Sequence, residues 1–260
     1  MWHKYCIIII NNYWKGSTEM ERKFSIKDAQ YDESAIRREY YDRRGNNAIV
    51  KLQKNGFHAS YFHNLNEAKE YLLKLIPDNS IVGVGDSHTV YAMNLDEDLE
   101  TKGCYAIPNI AALNVHSYNS NSYGYIKAQT REEARKILAD YLTSNVFLLG
   151  ANAITMQGEI VNVDGVGNRI AGSLYGADRM IVVAGINKLV TDEAAARDRV
   201  KSIAAPMDNI KYGDECASVK AGICPSCVSP NRICNITTII HRAPIESDFY
   251  VIIIGEELGF

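Results

Sequence analysis

Residues 148–169 read LLGANAITMQGEIVNVDGVGNR, and the way this stretch divides into elements decides the fold class. Residues 145–149 form a largely apolar run that stops at Gly150. A polar turn at Gln157-Gly158 separates Ile154 from Ile160, and Asp164-Gly165-Val166-Gly167-Asn168 leads into a segment of helical character at Arg169. The predicted order is strand, hairpin, glycine loop, helix. Two glycines around one residue just before a helix let backbone N–H groups converge on an anion, where the helix dipole also favours negative charge. Asp164, Gly165, Gly167, Asn168 and Arg169 are therefore candidate ligand contacts. The plainer alternative is a tight strand-to-helix turn, which glycine makes in any α/β protein. The dinucleotide fingerprint is not met, because its third glycine is missing.

Outward from this stretch, strand-like and helix-like segments alternate. Residues 33–54 are rich in helix formers and stop at Asn55-Gly56, with Gly45-Asn46-Asn47 expected to split them into two helices. Residues 57–62 suit a strand, and Asn64 with Glu67 reads as a capping box. Ala68, Tyr71, Leu72, Leu75 and Ile76 then line one helical face until Pro77. SIVGVG, residues 80–85, is a short buried strand, and Asp86-Ser87-His88-Thr89 opens a helix reaching Glu100. Residues 105–125 are dense in Asn, Ser and Tyr, and read as a loop, a candidate lid, with one short strand near Tyr105. Thr130 and Glu133 cap a helix whose face is Ala134, Ile137, Leu138, Tyr141 and Leu142. A helix over 169–175, a buried strand over 179–184 and a helix over 192–204 ended by Pro206 complete the series. Such alternation requires crossovers and predicts an α/β fold, a mainly parallel Rossmann-like sheet with helices on both faces. Residues 236–240 and 249–254 are expected to pair as a C-terminal antiparallel hairpin at a sheet edge.

The chain has 260 residues, a net charge of −3 and a pI near 6.1, so it carries no basic field to attract nucleic acid. Its longest N-terminal apolar run, residues 6–10, is far short of a membrane span, and the expectation is a cytoplasmic protein with no membrane partner. Residues 1–19 show no helical or strand period that continues into the charged stretch beginning at Met20. They are read as a non-native or disordered extension, with residues 20–260 as a single domain. A homodimer is expected only because closed twofold assemblies are the commonest. GxSxG, Walker and HExxH motifs are missing, which disfavours the usual hydrolase and nucleoside-triphosphatase readings.

Four of six cysteines, Cys216, Cys224, Cys227 and Cys234, crowd into CASVKAGICPSCVSPNRIC within residues 212–235. In a reducing compartment such crowding reads as a metal site before it reads as disulfides. Cys224-Pro-Ser-Cys227 can offer two thiolates to one metal, and four soft ligands suit zinc or an iron–sulfur cluster equally well. The spacing of seven, two and six intervening residues matches neither a zinc ribbon nor the bacterial ferredoxin run. Lys220 and Arg232 would lower the thiolate pKa.

A second glycine turn, Gly83-Val84-Gly85-Asp86-Ser87, ends a predicted strand at the edge where open α/β sheets bind ligands. In the ligand reading, Gly83, Gly85 and Gly167 offer backbone donors alongside Asp86 and Ser87. Asn152, Thr155 and Asn168 offer side-chain hydrogen bonds, and Arg169 the charge for a carboxylate or phosphate. His88, beside this turn, is a candidate acid/base group. His58, His63, His116 and His241 show no metal spacing with one another.

Three segments in order, GANAITMQGEIVNVDGVGNRIAGSLYGADRMIVVAGINKLV, GICPSCVSPNRICN and VIIIGEELGF, resemble the LUD-domain family, which includes the lactate-utilisation protein C type. The resemblance implies a fold of the NagB/RpiA/CoA-transferase-like kind and participation in oxidising L-lactate to pyruvate alongside iron–sulfur partner subunits. A small anionic metabolite, a hydroxy acid or phosphorylated compound, is the ligand expected between the two glycine turns, and the resemblance favours a [4Fe–4S] cluster over zinc at the four cysteines. A non-catalytic accessory or assembly subunit, or a sugar-phosphate-binding isomerase-like protein with structural zinc, are the alternatives. GANAITMQGEIVN also looks like a segment of the methylthioribose-phosphate isomerase and initiation-factor-2B-like branch. The catalytic Asp of those isomerases is replaced here by Asn152, whose amide can hold a ligand but not accept a proton at neutral pH.

Overall fold

The computed structural model describes residues 31–108, 128, 130–213, 217–225, 227–229 and 232–260. Residues 1–19, and with them the expected boundary at residue 20, lie outside the described residues, as do Cys216, His116 and nearly all of the expected loop beyond Tyr105. By contacts the chain divides into two units, Met1–Arg37 and Arg38–Phe260.

The elements in order are α1 (Glu33–Lys54), β1 (His58–Phe62), α2 (Leu65–Leu75), β2 (Ile81–Val84), α3 (His88–Tyr91), α4 (Asp96–Thr101), β3 (Tyr105–Ile107), α5 (Arg131–Leu142) and β4 (Val146–Gly150). A hairpin of β5 (Ala153–Thr155) and β6 (Ile160–Asp164) comes next, then α6 (Asn168–Leu174), β7 (Arg179–Gly185) and β8 (Leu189–Val190). The rest is α7 (Glu193–Arg199), a π turn (Val200–Ala204), α8 (Ala205–Lys211), α9 (Ala217–Ala221), β9 (Ile236–Ile240) and β10 (Asp248–Ile254). Six strands form one sheet in the order β1-β10-β7-β4-β2-β3, every pairing parallel. A second sheet, β8-β5-β6-β9, joins one parallel and two antiparallel pairings.

The central strands are apolar on both faces, as a sheet covered by helices on each side requires. Phe147, Leu149, Val182, Val251 and Ile253 pack with Ala48 and Leu52 of α1 and Tyr141 of α5. The alternate residues Val146, Leu148, Ile181, Val183, Ile252 and Ile254 pack with Leu72 of α2, Val90 of α3 and Leu99 of α4. Gly172 lets α6 approach this sheet, since a Cβ there would meet the Phe147 ring at 2.2 Å.

Three sequence expectations are corrected. Residues 236–240 and 249–254 do not form a hairpin: β9 pairs with β6 in the second sheet, and β10 lies between β1 and β7 in the first. The run Phe249–Ile254 is apolar at successive positions, the signature of an interior parallel strand, whereas a solvated edge hairpin would alternate. The glycine at 45 does not break α1. It is buried where the Tyr61 ring crosses, 2.3 Å from the place of a Cβ, and Asn46 donates its amide to the Asp42 carbonyl at 2.8 Å. Pro206 does not end a helix either. It sits in the first turn of α8, directly after the π turn. A proline there lacks the N–H that an i→i+5 bond to Lys201 would need, and the Lys201 carbonyl accepts instead from Cys224 N at 2.7 Å.

Candidate functional site

The carboxyl ends of β2, β4 and β7 point to one side of the large sheet, the side on which open α/β sheets hold ligands. There Asp86, Ser87, His88 and Thr89, the segment Gly150-Ala151-Asn152, Arg169, Lys188, Asp208 and Phe260 line a small cleft open to solvent. The first glycine turn reaches this place through Asp86 and Ser87, and Arg169, directly after the second, joins them. Its Nη1 donates to the Asp86 carbonyl at 2.7 Å, its Nη2 to the Val163 carbonyl at 3.1 Å, and its Nε faces Asp164 Oδ2 at 3.4 Å.

The anion cradle read from Asp164-Gly165-Val166-Gly167 is present, and the chain fills it itself. Asp164 Oδ1 accepts from Val166 N and Gly167 N, each at 3.0 Å, while Gly167 takes φ of +96°, which favours glycine. Gly165 leaves no room for a side chain, since a Cβ there would meet the Ile233 backbone at 3.1 Å. Asn168 begins α6 outside the cleft lining. Gly83 lies inside β2, laddered to Ile107 and Phe147, and Gly85 N donates to the Leu148 carbonyl at 2.8 Å, so neither backbone donor reaches the cleft. Thr155 is fully buried in the β5–β6 turn, where its hydroxyl donates to Glu159. Asn152 does line the cleft. Its amide oxygen accepts from Val163 N at 2.8 Å, its own N donates to Asn162 Oδ1 at 3.1 Å, and its carbonyl accepts from Arg199 Nη1 at 2.6 Å. The two asparagines of the GANAITMQGEIVN segment thus lock the hairpin onto the end of β4.

The ionisable groups that the cleft gathers come mostly from residues with no motif around them. Lys188, 3% exposed, lies just beyond β7 and donates to the Phe260 backbone oxygen. Burial first, then the charge of Arg199, pushes its amine down to about 7. Among the described residues no Asp or Glu carboxylate lies within ion-pair distance of it. Burial raises the Asp208 carboxyl above the ordinary carboxylate range and lowers the His88 imidazole, which the Lys211 charge lowers further. Burial acts to raise Asp86 too, but hydrogen bonds from Lys211 (2.5 Å) and Tyr212 outweigh it and hold the carboxyl below its usual value. Phe260 packs its ring 4.5 Å from that of His88, and Asn187 ties the last residues down through Leu258 N and the Gly259 carbonyl. Lys188 carries the one charge in the apolar run of residues 180–190, the only sequence signal that could have marked it.

The cysteine segment docks beside this cleft. Cys224 is fixed to the π turn through the Lys201 carbonyl, and Asn235 donates to the Asp164 carbonyl (3.0 Å) and, through its side chain, to that of Gly165 (3.0 Å). Arg232 draws the carbonyls of Cys227 and Cys234 onto one guanidinium, at 3.3 and 2.7 Å. Cys224, Cys227 and Cys234 are free, half-buried thiols, a soft donor set that fits a thiophilic metal. The fourth member, Cys216, lies outside the described residues.

The LUD domain family model matches residues 46–254. The chain belongs to the LUD domain family. No curated protein matches it. Among solved structures, this LUD domain is similar to a DUF162 family protein from Deinococcus radiodurans, at 12% identity and a TM-score of 0.45, over 84% of this chain and 98% of that one. It is also similar to the translation initiation factor eIF-2B of Pyrococcus horikoshii (14% identity, TM-score 0.30, 48% of this chain and 46% of that one). A third is eIF2B beta of Chaetomium thermophilum (13% identity, TM-score 0.31, 49% and 43%). The LUD domain chain spans under half the length of these two initiation-factor chains. Among the described residues no helix is long and apolar enough to cross a membrane.

Proposed function

We propose that this LUD domain, a lactate-utilisation-associated protein at the level of its family, binds a small carboxylate such as lactate or pyruvate in the cleft at the carboxyl edge of the parallel sheet. The observation that carries the reading is Lys188, a buried amine held without an Asp or Glu partner among the described residues, and lining the cleft. Lys188 Nζ already donates to the Phe260 backbone oxygen, and an arriving carboxylate adds negative charge that favours the protonated amine, so a proton is taken up as it binds. Asp208, shifted toward its neutral form, repels an anion less than an ordinary carboxylate would. A neutral His88 beside it leaves one group able to accept a proton and one able to hold it. Asn152 serves as a lock, not as a base, which speaks against the acid–base isomerisation of the related branch.

This proton uptake sets the sign of the pH dependence. Below about pH 7 the free amine is already protonated and affinity is flat; above it, each pH unit costs roughly tenfold, since a proton must be taken up with the ligand. Isothermal titration of lactate, pyruvate and phosphate at pH 6.5 and 8.5 tests this, and no heat from any of the three on folded protein contradicts the reading.

For the cysteine segment we propose a [4Fe–4S] cluster held by Cys224, Cys227, Cys234 and Cys216, where it would supply one-electron chemistry beside the cleft. Zinc would hold its sulfurs about 3.8 Å apart, by the usual Zn–S length and tetrahedral angle. The three described sulfurs are not all within 4.8 Å of one another, and the choice of the cluster over zinc rests on the family's association with iron–sulfur partners. Anaerobically purified protein is expected to contain iron and sulfide and to lose most of both in Cys227→Ser. Protein prepared in that way without iron contradicts the cluster.

A further inference from the structure

Away from the cleft, three side chains from separate segments converge at the turn end of the second sheet: Glu159 from the β5–β6 hairpin, Glu193 from the first turn of α7, and His241 just after β9. Their ligand atoms all lie within 4.8 Å of one another. His241 Nδ1 is 3.0 Å from Glu159 Oε1 and 3.9 Å from Glu193 Oε1. None of the three lines the cleft. We propose that Glu159, Glu193 and His241 form a second metal site, one that takes a single divalent first-row transition ion such as Mn²⁺ or Zn²⁺.

The charge balance asks for a cation. Two carboxylates meet here, and among the described residues neither has a lysine or arginine within ion-pair distance; the imidazole is their one basic neighbour. A neutral imidazole leaves two like charges facing each other, whereas a divalent ion neutralises both and uses the ring nitrogen as a third ligand. The donor set, one nitrogen and two carboxylates, suits borderline and hard ions more than the thiol segment does.

The geometry is already partly built. The second oxygen of Glu159 accepts from Thr155 Oγ1 at 3.0 Å, and that hydroxyl also accepts from Gln157 N and Glu159 N, at 3.2 and 3.1 Å. Thr155 is fully buried, so the Glu159 carboxylate is held by a rigid outer partner of the kind that orients metal ligands. Ligands about 2.0–2.2 Å from one ion stand about 3.3–3.6 Å apart in a tetrahedral arrangement. Closing the trio around an ion therefore needs a shift on the order of 1 Å, concentrated on Glu193 and His241, whose side chains are 39% and 62% exposed. The same exposure leaves positions open to water or an exchangeable ligand. The trio escapes sequence reading because the ligands are 34 and 48 residues apart and share no motif.

Electron paramagnetic resonance of Mn²⁺ added to the full chain after chelator treatment tests the site, because manganese discriminates against the cysteine thiols. Wild-type protein is expected to remove one equivalent of the free-ion signal at micromolar to submillimolar metal. His241→Ala and Glu159→Gln should each weaken binding at least tenfold, and Glu193→Gln serves if either loses its fold by circular dichroism. A wild-type chain that leaves all Mn²⁺ free, or one whose bound signal survives in the folded variants, overturns the proposal, the former outcome leaving the trio a hydrogen-bonded ion pair only.

Discussion

Lys188→Met is expected to bind pyruvate and phosphate about 10- to 100-fold more weakly than the wild-type chain, the cost of losing one charge-assisted hydrogen bond. The same variant should melt at a higher temperature. Lys188 is 3% exposed and its amine is pushed down to about 7, so the folded protein resists protonating it while the unfolded chain does not. Between about pH 7 and the ordinary lysine value the unfolded chain binds the extra proton, and stability rises with pH across that window. Methionine removes the penalty. Its gain, about 1–4 kcal/mol by analogy with other buried charges replaced by apolar groups, should be full at or below pH 7 and fade toward pH 10. Thermal melts of both proteins at pH 6.5, 8 and 10 check the slope, and a variant destabilised equally at all three contradicts the account. A stabilising change that removes ligand binding marks a position kept for function.

Asp164→Ala should have the largest effect on the fold itself. Asp164 is 7% exposed, and its carboxylate satisfies Val166 N, Gly167 N and Arg169 Nε together. Alanine leaves two amides without their acceptor and a largely buried guanidinium without its counter-charge, at a cost of about 3–5 kcal/mol. That corresponds to a fall in melting temperature of roughly 6–20 °C. Because Arg169 also holds the Asp86 carbonyl, the loss should splay the two glycine turns and weaken anion binding as well. Asp164→Asn keeps an acceptor for the amides and removes only the charge, so it should fall between the wild type and alanine. Denaturant melts of the three order them, and alanine within 1 kcal/mol of wild type would show that the turn does not depend on its own carboxylate.

How much of the fold is legible in the sequence depends on which signals are local. Caps and helical faces are local, and the Asn64 and Thr130 caps form as their capping residues indicate. The alternation of segments gives the parallel sheet because βαβ crossovers allow little else. Strand order is not local: residues 249–254 pair with β1 and β7, nearly two hundred and about seventy positions away, so proximity to residues 236–240 misleads. At the site, the glycine turns are visible as turns, but their occupant is not, since a carboxylate inside the motif competes with any ligand for the same amides. Lys188, Asp208 and Phe260 join Asp86 and His88 only through the sheet edge and the docked C-terminal residues. Pro206 shows the same limit in reverse. It marks a helix end by rule, yet here it frees a carbonyl on which the cysteine segment is hung.

The claim that the cleft is an anion site built on a poised amine is tested most directly by monitoring the Lys188 amine itself. Protein carrying ¹³Cε-labelled lysine, with the Lys188 resonance assigned by its loss in Lys188→Met, can be titrated by NMR with and without pyruvate. The account predicts a midpoint near pH 7 in the free protein, shifted upward by about one pH unit or more when the carboxylate binds. A midpoint near the ordinary lysine value of about 10.4, or one that pyruvate leaves unmoved, would contradict it.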